Sequence, residues 1–163
     1  MPTHIRPAIP TDVPQILQFI RELAEYEQLS DQVSATEQLL HQYLFGTRPI
    51  AECLLAAIDQ SPVGFALYFH NFSTFVGRPG IYLEDLFVRP AARGKGVGRA
   101  LLTHLAKIAV QRNCGRLEWA VLDWNAPAIG FYEQMGAKML MDWRTMRVTG
   151  EALPALAQKS PSP

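Results

Sequence analysis

The chain has 163 residues, 48% of them hydrophobic and 18% charged, with no formal net charge. At about 100–200 residues per domain, this length describes one domain, and the apolar fraction excludes an intrinsically disordered chain. Neutrality argues against a general nucleic-acid binder, which carries a basic excess. Residues 1–79 hold four basic and eight acidic groups, and the remainder holds eleven basic and seven acidic. That asymmetry suits a protein that meets a cation with one half and a polyanion with the other.

The first ten residues contain His4, Arg6 and three prolines but no apolar run, so no secretory signal is expected. Val13, Ile16, Leu17, Ile20, Leu23 and Ala24 follow helical spacing, with Thr11 or Asp12 as N-cap. A second helix is predicted from Ser34, which stands three residues before Glu37 in capping-box order. Cys53–Ile58 and Val63–Phe69 read as a β-hairpin around Asp59-Gln60-Ser61-Pro62, and Ile81–Val88 as a third strand. A strong helix follows, with Leu101, Leu102, Leu105, Ala106, Ile108 and Ala109 as its stripe and a stop at Asn113–Gly115. Leu117–Leu122 reads as a strand, Ala126–Met135 as a short helix, and Ala137–Met141 and Trp143–Val148 as two final strands. The expected fold class is α/β with a mixed central sheet flanked by helices, antiparallel early and with a parallel crossover later. One domain is expected over residues 1–150, followed by a flexible tail over 151–163.

Cys53 and Cys114 lie in or beside apolar segments, and no Cys/His spacing suggests zinc. Both are read as reduced, buried thiols, which fits a cytoplasmic protein. His4, His41, His70 and His104 show no ligand clustering, so no metal is expected. No segment has the composition of a membrane span.

The chemistry concentrates where the strand Tyr82-Leu83-Glu84-Asp85-Leu86-Phe87-Val88 runs through Arg93-Gly94-Lys95-Gly96-Val97-Gly98-Arg99 into a helix. Glycines permit tight turns, and the first helical N–H groups have no internal partner. With the helix dipole and three basic side chains, such a loop can bind phosphate; a solvated flexible loop is the alternative. A P-loop is excluded because Gly96 follows Lys95 where a hydroxyl is required. The even spacing of Gly94, Gly96 and Gly98 departs from the dinucleotide fingerprint.

R-x-x-G-x-G at Arg93–Gly98 resembles the pyrophosphate loop of the GNAT superfamily of N-acetyltransferases. Asn125-Ala126-Pro127-Ala128-Ile129-Gly130-Phe131-Tyr132 continues the likeness, and the stretch Leu23–Glu27 is most similar to the diamine (spermidine/spermine-type) N-acetyltransferases. The resemblance implies a GNAT-like acyltransferase fold and acetyl-CoA as co-substrate. The backbone of Leu86, Phe87 and Val88 would then hold the pantetheine arm. Arg93, Gly94, Lys95, Gly96, Val97, Gly98 and Arg99 would cradle the diphosphate, and Asn125 would contact the coenzyme further along. It also implies a small-molecule amine acceptor, with Tyr26 and Glu27 as an amine-binding pair, and a homodimer paired through C-terminal strands; read alone, Glu27 is a solvated helix-end charge.

An alkylamine with a pKa near 10.4 is less than about 0.1% neutral at pH 7, so its proton needs an acceptor. Glu84, a carboxylate in an apolar strand, is assigned to amine recognition and base catalysis; a strand-edge ion pair is the alternative. By simple alternation it shares a face with Tyr82 and Leu86, with Asp85 opposite. Tyr132 is the candidate acid for the departing thiolate, or else a half-buried aromatic with a bonded hydroxyl. Trp119 and Trp124 are read as channel walls or core. Asp142 matches the family's further acidic substrate contact only loosely, which leaves lysine-like acceptors open beside polyamines. Acetylation of a protein or peptide amine is the alternative enzyme reading, and a non-catalytic acyl-CoA sensor the alternative class.

Overall fold

A computed structural model describes residues 2–160. The chain forms two compact units, one ending at Asp123 and the other beginning at Trp124. The first holds β1 (Thr3–Pro7), α1 (Val13–Tyr26), α2 (Glu37–Phe45), β2 (Glu52–Ile58), β3 (Ser61–Ser73), β4 (Arg78–Val88), α3 (Val97–Gln111) and β5 (Leu117–Trp119). Its five strands lie in sequence order, antiparallel from β1 to β4, with β5 parallel to β4. This is the expected mixed α/β sheet with its late crossover through α3. The strand β1 has no counterpart in the sequence reading. Pro2 and Pro7 mask a five-residue run that pairs with β2 from Thr3 opposite Ile58 to Pro7 opposite Leu54.

The apolar stripe of α1 buries Val13, Ile16, Leu17, Phe19 and Ala24. With α2 it covers one face of the sheet, where Ile16, Phe19 and Leu44 pack on Cys53, Leu55, Phe65 and Phe87. Phe19 and Phe65 stack with ring centroids 5.5 Å apart. On α3, Val97, Leu101, Leu102, Leu105 and Ala109 are buried in the same rhythm. The cap of α2 differs from the expected one: Thr36 Oγ1, not Ser34, accepts the Leu39 N–H at 3.2 Å. Glu37 therefore opens the helix rather than closing a capping box.

The hairpin turn lies at Asp59 and Gln60, both with positive φ (49° and 66°), as a two-residue turn matched to strand twist requires. Two irregularities interrupt the ladders. One lets β3 bulge near Val63, and the other leaves Glu84 unpaired between Leu83, opposite Tyr68, and Asp85, opposite Leu67. Such a bulge bends the strand and resets which face each later side chain joins.

In the second unit, Asn125 Oδ1 accepts the Ala128 N–H at 3.4 Å and caps α4 (Ala126–Gln134). The two predicted final strands are absent: residues 137–149 form no regular element, and β5 stops at Trp119 instead of Leu122. A strand needs a neighbour's ladder to satisfy its backbone, and none of the described residues pairs with these. Within the expected flexible tail, Ala152–Ala157 forms the short helix α5, and residues 161–163 of that tail lie outside the described residues.

Candidate active site

Four pieces of the first unit converge: the end of α1, the bulge and C-terminal half of β4, the glycine loop, and the start of α3. The Arg89 side chain fixes the first against the second. Its Nε and Nη2 donate to the two Glu22 carboxylate oxygens at 3.0 and 2.9 Å, and its Nη1 donates to Pro62 O at 3.0 Å. The guanidinium lies 4.8 Å over the Phe19 ring. α1 ends where Gln28 takes a left-handed conformation (φ 62°), with the Leu29 N–H donating to Ala24 O at 2.8 Å. That termination puts Tyr26 and Glu27 on the last turn.

The bulge corrects the face assignment made by simple alternation. Asp85 stands in one cross-strand row with Leu67 and Cys53, and Leu67 packs against the α1-side core. Tyr82 is opposite Phe69, two residues along the same face, with the rings 5.3 Å apart. Asp85 therefore joins Tyr82 on the α1 side, and Leu86, opposite Ala66, faces away. Glu84 is the exposed extra residue between them. The sequence holds no turn residue or proline to announce this bulge, so sequence reasoning misses Asp85.

Burial, followed by the charges of Glu84 and then Glu27, pushes the Asp85 carboxyl up from its ordinary value to about 7. Burial also raises Glu27. Burial comes first again for Tyr82, whose hydroxyl is raised further by Glu84 and Glu118. Three carboxyl groups from two elements thus share one electrostatic neighbourhood, and one of them titrates near neutrality. Such a group can take a proton at pH 7.

β4 offers an open edge beside this cluster. β5 pairs with it only from Ile81 to Leu83, so among the described residues β4 runs without a ladder on that side from Glu84 to Val88. The Arg89 N–H donates to Val63 O at 2.8 Å, so the groups of Phe87 and Arg89 face β3. By alternation those of Leu86 and Val88 face the open side. An extended amide-bearing chain can add there as a strand does.

The loop then turns through Gly94 (φ 75°) and Gly96 (φ 81°), which stands at the N-cap of α3. No atom lies within 4 Å of the position a Cβ would take at either, so backbone conformation, not crowding, requires glycine here. The free N–H groups of the first turn of α3 point out beside the exposed Arg93, Lys95 and Arg99. Extended edge and anion-binding turn together fit a coenzyme that carries amides at one end and a diphosphate at the other. Val97 is buried and anchors the turn.

Asn125 and Tyr132 belong to the second unit. Asn125 caps α4, and the half-buried Tyr132 ring lies 5.4 Å from that of Phe131. Trp119 ends β5, half-buried, and Trp124 is exposed. Among the described residues, no group of three or more His, Cys, Asp and Glu can hold a metal ion. No described helix is long and apolar enough to cross a membrane.

Comparison with known proteins agrees with this geometry. Residues 16–137 match the model of the acetyltransferase (GNAT) family. The thialysine N-epsilon-acetyltransferase of Bos taurus is 43% identical over 95% of this chain and 97% of its own length. The L-ornithine N5-acetyltransferase of Arabidopsis thaliana is 36% identical over 94% of this chain and 87% of its own. Among solved structures, an integron cassette protein of V. cholerae superposes with a TM-score of 0.81 at 33% identity, covering 98% of this chain and 99% of that one.

Proposed function

The chain belongs to the acetyltransferase (GNAT) family and is an amine N-acetyltransferase using acetyl-CoA, and from that premise we propose that its acceptor is a lysine-like amine. Its preferred substrates would be the side-chain amines of small amino acids such as thialysine or ornithine, with short diamines next. The observation that carries this reading is the carboxyl cluster of Glu27, Glu84 and Asp85 beside the open edge of β4. An acceptor with a cationic tail finds negative charge there, and the reacting ammonium finds a group able to take its proton.

In this mechanism the outward backbone groups of Leu86 and Val88 hold the pantetheine arm, and the Leu86 N–H polarises the thioester carbonyl. Arg93 through Arg99 and the first N–H groups of α3 hold the diphosphate, and Asn125 contacts the coenzyme further along. Glu27 and the Tyr26 ring orient the acceptor's tail. The acceptor ammonium loses its proton to Asp85, with Glu84 adjacent as recognition group and relay. Nitrogen attacks the carbonyl carbon, the C–S bond breaks, and Tyr132 protonates the leaving sulfur. The second proton of the acylated nitrogen returns to the Tyr132 oxygen, while Asp85 releases its proton to solvent. No covalent enzyme intermediate is formed.

The reading includes a homodimer. Residues 139–148 expose Met139, Leu140, Met141, Trp143, Met146 and Val148 in a segment of strand-like sequence, and such a segment gains its ladder from a second copy. Light scattering should give twice the chain mass. A cytoplasmic location is consistent with two free cysteines, of which Cys53 is buried, its thiol pKa raised chiefly by that burial. The experiment that tests the acceptor assignment is CoA-thiol release with thialysine, ornithine, lysine, putrescine, spermidine and a lysine peptide. The amino acids should give the highest kcat/KM. A preference for the peptide, or no release above the amine-free control, would refute it.

A further inference from the structure

Arg93 touches both halves of the site. Its Nε donates to Val88 O at 3.0 Å, and its guanidinium carbon lies 4.7 Å over the Tyr26 ring and 5.9 Å from the centroid of Phe87. Each contact engages something the reaction needs. Val88 O is one of the outward acceptors of β4, where the pantetheine arm would add. The Tyr26 ring stands next to Glu27, where the acceptor's cationic tail would rest. A guanidinium on an aromatic face uses the same attraction as an alkylammonium on that face, and two cations cannot share it without repulsion.

Resting on the proposed acetyl transfer to a lysine-like amine, we propose that Arg93 is a positioning residue that couples the two substrates: it occupies the acceptor face of Tyr26 and gives it up when the diphosphate of CoA engages the loop. The physical preference runs that way. Arginine binds phosphate oxygens by charge-assisted, paired hydrogen bonds, which are stronger than an exposed cation–ring contact. Arg93 is exposed, so its guanidinium can leave the Tyr26 ring by side-chain rotation into solvent. Leaving Tyr26 also means leaving Val88 O, which frees that acceptor for the pantetheine amide. Coenzyme occupancy thereby raises acceptor affinity, and the reciprocal effect on CoA has the same magnitude.

The test is a calorimetric cycle with CoA, which lacks the transferable acetyl group, and thialysine. Thialysine affinity is measured with and without saturating CoA for the wild type and for R93Q, Y26F and Y26L. In the wild type CoA should tighten thialysine by about fivefold or more, the lower range of measured couplings. Y26F keeps the ring and should keep the coupling. Y26L should lose it, and R93Q without CoA should bind thialysine about as tightly as the wild type does with CoA. A residue that only supported the fold would change both affinities together and leave their ratio intact. The proposal is overturned if R93Q and Y26L retain the wild-type ratio, or if the wild type binds CoA without any effect on thialysine. Failure of the wild type to bind CoA at all would instead reject the functional reading, and this inference with it.

Discussion

Asp85→Asn separates the stability cost of the acidic cluster from its use. The Asp85 carboxyl is pushed from an ordinary 3.8 to about 7 by burial and by Glu84 and Glu27, so its charged form is disfavoured in the folded protein. A displacement of that size corresponds to ~4 kcal/mol at full development, and local relaxation and water access should reduce it to ~2 kcal/mol. The sign follows from linkage. A raised folded pKa contributes stability that is complete below the unfolded value and is lost as pH rises through the folded value. Asparagine, neutral and of the same shape, carries no such penalty. The substitution should therefore leave Tm unchanged near pH 3.5, gain progressively from about pH 4 to about pH 7, and hold a constant advantage above that. At about 2–4 °C per kcal/mol for a chain of this size, the gain at pH 8 is roughly 4–8 °C. Thermal unfolding followed by circular dichroism across pH 3.5–8.5 measures it directly. The same variant should lower kcat by about 10²-fold and abolish the acidic limb of the kcat/KM profile near pH 7. Equal melting temperatures for both proteins at every pH would refute the argument, because they would mean that Asp85 is solvated like any surface carboxylate.

Three further outcomes are expected. Tyr132→Phe should reduce kcat by about 10²-fold while changing the KM for acetyl-CoA far less, and unchanged turnover would remove its role as acid. Glu27→Gln should raise the acceptor KM by about tenfold at nearly constant kcat, on the scale of one charge-assisted contact; an unaltered KM for thialysine would show that the tail binds elsewhere. Gly96→Ala forces a side chain into a left-handed conformation (φ 81°), which costs ~1–2 kcal/mol. It should weaken CoA about tenfold in a titration, and full affinity would mean that the turn does not need this geometry.

The parts of the site carried by local chemistry are legible in the sequence alone. The periodicity of α1 and α3, the turn at Asp59-Gln60 and the run from Arg93 to Gly98 each rest on side chains within a few residues of one another. What stays hidden depends on partners distant in sequence. β1 is a strand because Leu54 to Ile58 pair with it, and nothing in Thr3–Pro7 alone announces this. The bulge at Glu84 arises from how β3 and β4 match their registers. It moves Asp85 onto the face where simple alternation places Glu84 and Leu86. The segment 137–149 has the composition of strands, yet none of the described residues pairs with it, and pattern without a partner yields no strand. Arg93 is legible as a phosphate ligand, but its contact with Tyr26, 67 residues earlier, is not.

Titration of the protein with CoA and, separately, with pantetheine bears most directly on the central assignment, because the two ligands share the amide-bearing arm and differ in the diphosphate and nucleotide. CoA should bind one per chain, and pantetheine at least a hundredfold more weakly, since it cannot use Arg93, Lys95, Arg99 or the first turn of α3. Equal affinity for the two, or no heat with CoA, would contradict the assignment of that loop and the chemistry built on it.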